Sequence, residues 1–321
     1  MVLDENGEKS ADEINKLFMV PGIEDKLLSL IDDCLVGKEE AISNKISTFK
    51  DTILSIASVV SIPYQIADHS IHSRDLDKLI IAQRIRNRKY EIKNGDKEKE
   101  DEIIDLSIRE ARENYEQLMC TDEGLNQHIV ETQRFLSSLS RQQLTEKNEL
   151  HESFSDLLLQ GVVLIWSAFE VTVRDLLLGY LNTNPEKVVL LSSDTELRKI
   201  FNLGKIDLQV IQEYNFELKN NLGEIYFGKI DFSNIKLVRL LLKHLVAKKS
   251  LLSEIDSTEM WEFSQLRHLI VHNRGYVDKR YKAITSCNLN VGDRVLIRPK
   301  ELNKYIRLSI LAVVNTIKGL Y

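Results

Sequence analysis

The stretch from about residue 149 to 182 constrains the fold more than any other part of the chain. Its middle, Gly161-Val162-Val163-Leu164-Ile165-Trp166-Ser167-Ala168-Phe169-Glu170, contains no proline and is too apolar for a surface helix. It therefore predicts a central, largely buried helix around which other elements pack. Asn182-Thr183-Asn184-Pro185 stops it, because a residue before proline is pushed out of the helical region. With four prolines and thirteen glycines in 321 residues, little else interrupts a helix, and a mainly α fold is expected.

Upstream, Ile42, Ile46, Phe49, Ile53, Ile56 and Val60 recur every three or four residues and predict a helix over 38–67, bent or ended by Pro63. The segment before it turns apolar from Ile23 to Leu35. A charged helix is expected from about Arg74 to Lys93, then a turn at Asn94-Gly95-Asp96. Next comes a helix with Ile104, Ile108, Ala111, Tyr115 and Leu118 on one stripe. These two helices read as an antiparallel hairpin, with a further helix from Leu125 to about Leu144. Downstream, residues 186–230 read as short mixed elements. Helices return at 233–249 and 257–273, and a last one spans Pro299 to Ile317. Between the last two, Asn288 to Ile297 reads as a turn and strand, half of a small β-hairpin. The division expected is a helical region over 1–145, regulatory or partner-binding, and a helical-bundle domain over 146–321 with the β-hairpin as an insertion.

Composition narrows the setting. Cys34, Cys120 and Cys287 are far apart with no CxxC pair, which argues for a reducing compartment and against a zinc ribbon or disulfide framework. The polar, acidic start is unlike a signal peptide, and no run of eighteen apolar residues occurs, so a soluble, cytoplasmic chain without a membrane segment is expected. The net charge of −6 is uneven. Residues 229–321 hold 17 basic and 8 acidic residues (+9), which leaves 26 basic and 41 acidic (−15) before them. A basic region suits a polyanionic partner, and equally a solvated helix face. Arg84, Arg86, Arg88 and Lys89 read as such a solvated face. His69 and His72, with no carboxylate pair or cysteine to complete a metal site, read as surface residues.

The chemistry concentrates in Arg267-His268-Leu269-Ile270-Val271-His272-Asn273. Trp261, Leu266, Leu269 and Ile270 supply the apolar face of that helix, whereas Arg267, His268 and His272 do not belong to it. Arg267 and His272 are about 140° and roughly 7.5 Å apart on a regular helix. One copy cannot close both around a single phosphate, but two copies across a two-fold axis can. Gly275 suits a helix C-cap, which leaves His272 in the last turn. His268 and His272, at i and i+4, could share a metal, but the glutamate of His-Glu-x-x-His is absent. Arg267 could also pair with Glu262. Glu170 can reach Arg267 or pair with Arg174 one turn on, and the local pair is the favoured one.

Arg267-x4-His272 with the polar His268 after the arginine resembles the signature of the HEPN ribonuclease superfamily. The continuation Asn273 to Tyr281, then Val291-Gly292-Asp293-Arg294-Val295, resembles its RiboL-PSP-HEPN and MAE-type branch. Ser167-Ala168-Phe169-Glu170 resembles the family's first core helix, and the likeness covers about residues 145–321. It implies a homodimeric helical bundle that cuts RNA without cofactor or metal. His272 would act as general base or acid at the ribose 2′-hydroxyl, giving a 2′,3′-cyclic phosphate. Arg267 would hold and neutralise the scissile phosphate. His268 would orient the pair or assist proton transfer, with Asn273 and Glu170 supporting. The leading expectation is an endoribonuclease serving as a toxin or anti-phage defence effector, restrained by its N-terminal half, an antitoxin or another partner protein. The alternative is a non-catalytic HEPN-like module that binds a protein or nucleic acid.

Overall fold

The computed structural model describes residues 25–87, 97–142, 149–201, 203, 206–285 and 287–321. The turn expected at Asn94-Gly95-Asp96 lies outside the described residues, as do Ile23, Arg88, Lys89 and Leu144. The chain forms two compact units, one built from Ser61–Phe154 and the other from residues 25–60 together with Ser155–Tyr321. This differs from a single break at 145/146, because α1 and α2 belong with the C-terminal part.

Helix α1 (Asp25–Leu35) buries Leu27, Ile31 and Cys34 along one face. Gly37, in the left-handed region at φ +72, lets the chain turn after it. Helix α2 (Glu40–Val60) buries Ile46, Phe49, Ile53, Ile56 and Val60, the stripe read from the sequence. It ends before Pro63, which sits at the second position of α3 (Ile62–Asn87), where a missing N–H costs nothing. The helix expected over 38–67 is therefore two helices, and the charged helix starts well before Arg74.

The Ser61–Phe154 unit gathers α3 with α4 (Lys97–Met119) and α5 (Asp122–Gln142). Helices α3 and α4 run antiparallel: Arg84 pairs with Glu100 at 3.6 Å near one end, and His72 meets Tyr115 edge-on at 4.6 Å near the other. On the stripe expected in α4, Ala111 and Tyr115 are buried, Ile104 and Ile108 half-buried, and Leu118 exposed. His69 is exposed as expected, whereas His72 is half-buried against Tyr115. Buried His128 joins the three helices, lying 2.8 Å from Asp68 and 3.3 Å from the Tyr115 hydroxyl.

The second unit is built around α6 (Glu149–Thr183) from Ser155 onward. By length and composition α6 is apolar enough to cross a membrane, and half of its most apolar window is buried. Asn184 precedes α7 (Pro185–Ser193), and α8 (Thr195–Ile200), α9 (Leu208–Glu213) and α10 (Leu222–Phe227) are short. Then come α11 (Ile235–Leu245), a 3-10 turn (Lys249–Leu252), α12 (Ser253–Asp256), α13 (Thr258–Asn273), α14 (Lys279–Thr285) and α15 (Pro299–Leu320). Trp166 of α6 is fully buried and meets Phe263 of α13 edge-on at 5.1 Å, and Phe263 stacks on Tyr305 of α15 at 4.4 Å. This aromatic chain ties the three helices together.

No strand occurs among the described residues. Where the β-hairpin was expected there is one isolated antiparallel bridge, Tyr276 to Arg294. Val277 N–H donates to Asp293 (2.9 Å), Gly292 N–H to Val277 (2.8 Å) and Val295 N–H to Gly275 (2.9 Å). Gly292 at φ +93 turns the chain, and Pro299 opens α15 before a ladder can extend.

Candidate functional site

Helix α13 is fixed at both ends. At its start the Ser257 hydroxyl accepts the Met260 N–H. Arg239 of α11 holds the corner before it, donating to the Ile255 and Ser257 carbonyls at 2.6 Å each. At its finish Arg274 takes the left-handed conformation (φ 53) and donates its N–H to the Leu269 carbonyl, which the Gly275 N–H also approaches at 3.3 Å. The cap is therefore an arginine followed by a glycine at φ +80 rather than the glycine alone. His272 falls in the last turn and is exposed.

The neighbouring loop is held by side chains on both sides. The Asn273 amide donates to Asp278 Oδ2 at 2.8 Å, while Asp278 Oδ1 accepts the Tyr281 N–H at 2.6 Å and caps α14. Arg294 lies 5.5 Å above the Tyr276 ring, donates to the Arg274 carbonyl and pairs with Asp156 of α6.

The candidate residues come together unevenly. The imidazoles of His268 and His272 lie side by side, ring centres 4.3 Å apart. Arg267 points elsewhere, with its guanidinium 3.8 Å from Glu170 Oε2, and that same oxygen accepts a 3.1 Å hydrogen bond from the Trp166 indole. The local Glu170–Arg174 pair favoured by the sequence gives way to this one, because the packing of Trp166 on Phe263 brings α6 and α13 together there. Arg267 Nε is buried and has no hydrogen-bond partner among the described residues.

Two adjacent depressions open here. The larger, about 430 Å³, is lined by Arg267 together with Lys236, Trp261 and Asp231. The smaller, about 80 Å³, is lined by His272, Asn273 and Tyr281. His268, Gln265, Arg280 and Ile284 line both. Within one chain, then, Arg267 and His272 face separate depressions, as their five-residue spacing requires.

Electrostatics separates the titrating groups. Burial raises the Glu170 carboxyl above the usual carboxylate range and Asp231 adds to this, while Arg267, the Trp166 hydrogen bond and Arg174 pull it back. His268 is pushed below the usual histidine range by partial burial, then by His272, Arg280 and Arg267, and only Asp278 opposes. Burial also pushes the Tyr281 hydroxyl up to about 12, so it stays a proton donor at neutral pH.

Lys236, Trp261 and Arg280 also line the larger depression, where the sequence placed none of them: Trp261 reads as part of the apolar helix face and Arg280 as part of the stretch after His272. For the two cations the signal in the sequence is the excess of basic residues after position 229. No group of three or more His, Cys, Asp or Glu side chains arranged to hold a metal occurs among the described residues. Comparison with family models, with curated proteins and with solved structures finds no match to this chain.

Proposed function

We propose that the chain is a metal-independent endoribonuclease of the HEPN type, acting as a homodimer on RNA. The observation that carries this reading is the end of α13. There a histidine pair with ring centres 4.3 Å apart and a carboxylate-held arginine line two adjoining depressions, the larger of them cationic. Paired imidazoles beside a guanidinium are suited to transesterification at phosphorus. The ribose 2′-oxygen attacks phosphorus, the bond from phosphorus to the 5′-oxygen breaks, and a 2′,3′-cyclic phosphate remains. His272 takes the 2′-hydroxyl proton or returns one to the departing 5′-oxygen. His268, held toward its neutral form, assists as a proton acceptor. Arg267 bears the developing charge on the phosphate, and Glu170 holds that guanidinium in place. DNA lacks the 2′-hydroxyl and is not a substrate.

The dimer follows from the divided site, with Arg267 of one copy meeting His272 of the other across a two-fold axis. A ribonuclease of this kind acts as a toxin or defence effector whose activity needs restraint, and the Ser61–Phe154 unit is the candidate regulator.

One observation favours a second reading, a helical module that binds without cutting: Arg267 is already paired with Glu170, so part of its charge is spent. The test is incubation of the purified protein with RNA in EDTA, beside Arg267→Ala and His272→Ala. Cleavage by the wild type, reduced about 10²–10⁴-fold in each variant, supports the enzyme. RNA left intact by all three proteins favours the binding module, and loss of wild-type cleavage on adding EDTA points to a metal enzyme.

A further inference from the structure

The 430 Å³ depression falls within the range of about 300–1,000 Å³ usual for small-ligand sites, and it is larger than one phosphate needs. Three cations line it against one carboxylate: Lys236, Arg267 and Arg280 face Asp231. Arg267 is paired with Glu170, but neither Lys236 nor Arg280 makes an ion pair among the described residues, and both are exposed. The remaining lining is unlike a plain anion site. Trp261, half-buried at the edge of the core, offers an aromatic surface. Gln265 commits its amide nitrogen to the Ser264 hydroxyl at 3.1 Å, which leaves its carbonyl oxygen to accept. Asn234 commits its side-chain oxygen to the Lys236 N–H at 3.1 Å, which leaves its NH2 to donate. An aromatic surface, an unused acceptor, an unused donor and two unpaired cations match the parts of a nucleotide.

We infer that this depression is a nucleotide-binding subsite that takes one unstacked nucleotide of the RNA beside the cut, with its base on Trp261 and its phosphate on Arg280 and Lys236. The inference rests on the ribonuclease reading for its choice of RNA. It adds that the enzyme acts on single-stranded segments, whose bases can be splayed out, and that base choice is set by Gln265 and Asn234. Arg280 lines both depressions, so a phosphate held there lies between the Arg267 and His272 sides of the site.

The experiment is calorimetric titration of the full-length wild-type chain with each of the four nucleoside 5′-monophosphates and with inorganic phosphate. At least one nucleotide is expected to bind about tenfold more tightly than phosphate, the difference coming from base stacking. Lys236→Ala and Arg280→Ala are each expected to weaken that binding about tenfold through loss of a charge-assisted contact. Trp261→Leu should erase the advantage of nucleotide over phosphate. Lys236 and Arg280 are exposed, so their variants remain informative should the Trp261 variant fail to fold. Equal binding of phosphate and all four nucleotides, or nucleotide binding unchanged in both cation variants, overturns the inference. Nucleoside 5′-monophosphates carry no 3′-phosphodiester for the 2′-oxygen to attack, so the two readings fail separately. Tight nucleotide binding by a protein that leaves RNA intact sinks the ribonuclease and keeps the subsite. RNA cleavage without nucleotide binding does the reverse.

Discussion

Glu170 and Arg267, 97 positions apart in sequence, meet 3.8 Å apart, and the carboxylate is steadied by the indole of Trp166 one turn before it. With Glu170's folded pKa raised above its unfolded value, its own contribution to stability is full below about pH 4.3 and is lost as pH rises through the folded value. Arg267→Ala removes the strongest influence holding that value down and should raise it further, a shift readable by carboxyl carbon NMR. The variant should lose about 1–2 kcal/mol at neutral pH, since one partner of a partly buried pair is left alone. Thermal unfolding across pH should show that deficit shrinking toward acid, where Glu170 is protonated in both proteins. A deficit independent of pH would contradict the pairing.

His268 should titrate below the ordinary histidine value of about 6.5 in a proton NMR titration. Arg280→Ala removes a neighbouring positive charge and should move the midpoint upward. Asp278→Asn removes the one opposing influence and should move it downward. Shifts of the reverse sign would mean that the loop after α13 is not packed against the ring as described.

If each catalytic site draws Arg267 from one copy and His272 from the other, inactive Arg267→Ala and inactive His272→Ala chains should complement each other. Mixed and refolded together, half of the dimers are heterodimers with one intact site of two, giving about a quarter of wild-type cleavage. No recovery, in a mixture shown by ultracentrifugation to be dimeric, would mean that the two residues act within one chain.

Asp278→Ala removes the cap of α14 and the partner of the Asn273 amide together. A loss of about 0.5–2 kcal/mol is expected from the cap, seen as a lower unfolding midpoint and faster hydrogen exchange at Tyr281. Asn273→Ala touches only one of the two bonds and should cost less.

Much of this fold was legible because helices announce themselves locally. The stripe from Ile46 to Val60 and the unbroken apolar run in α6 each depend on neighbours three or four positions away. A buried stripe says that a face is covered but not by what, so nothing in residues 25–60 disclosed that they join the C-terminal part. The run Val295-Leu296-Ile297 has the composition of a strand, yet pairing was cut short by Gly292 and Pro299. In the site, spacing along one helix was enough to separate Arg267 from His272. The Glu170 contact was misjudged because Arg174 is near in sequence while Arg267 is near only in space. Lys236, Trp261 and Arg280 converge from three helices, α11, α13 and α14, and no periodicity records such a meeting.

Val60, the last residue before Ser61, packs within contact distance of Gly161 on α6, so within the second unit the two points where its chain is interrupted lie close together. Ser155 is six positions before Gly161, about 9 Å back along the helix, a gap that a handful of glycines and serines can bridge. Residues 61–154 thus interrupt a unit that, among the described residues, contributes helices on both sides of them. Removing 1–140 would tear α1 and α2 out of that unit, whereas splicing Val60 to Ser155 should leave it whole. A spliced chain that unfolds cooperatively and keeps its α13 site would make residues 61–154 exchangeable, a place where one helical segment could be traded for another without rebuilding the rest.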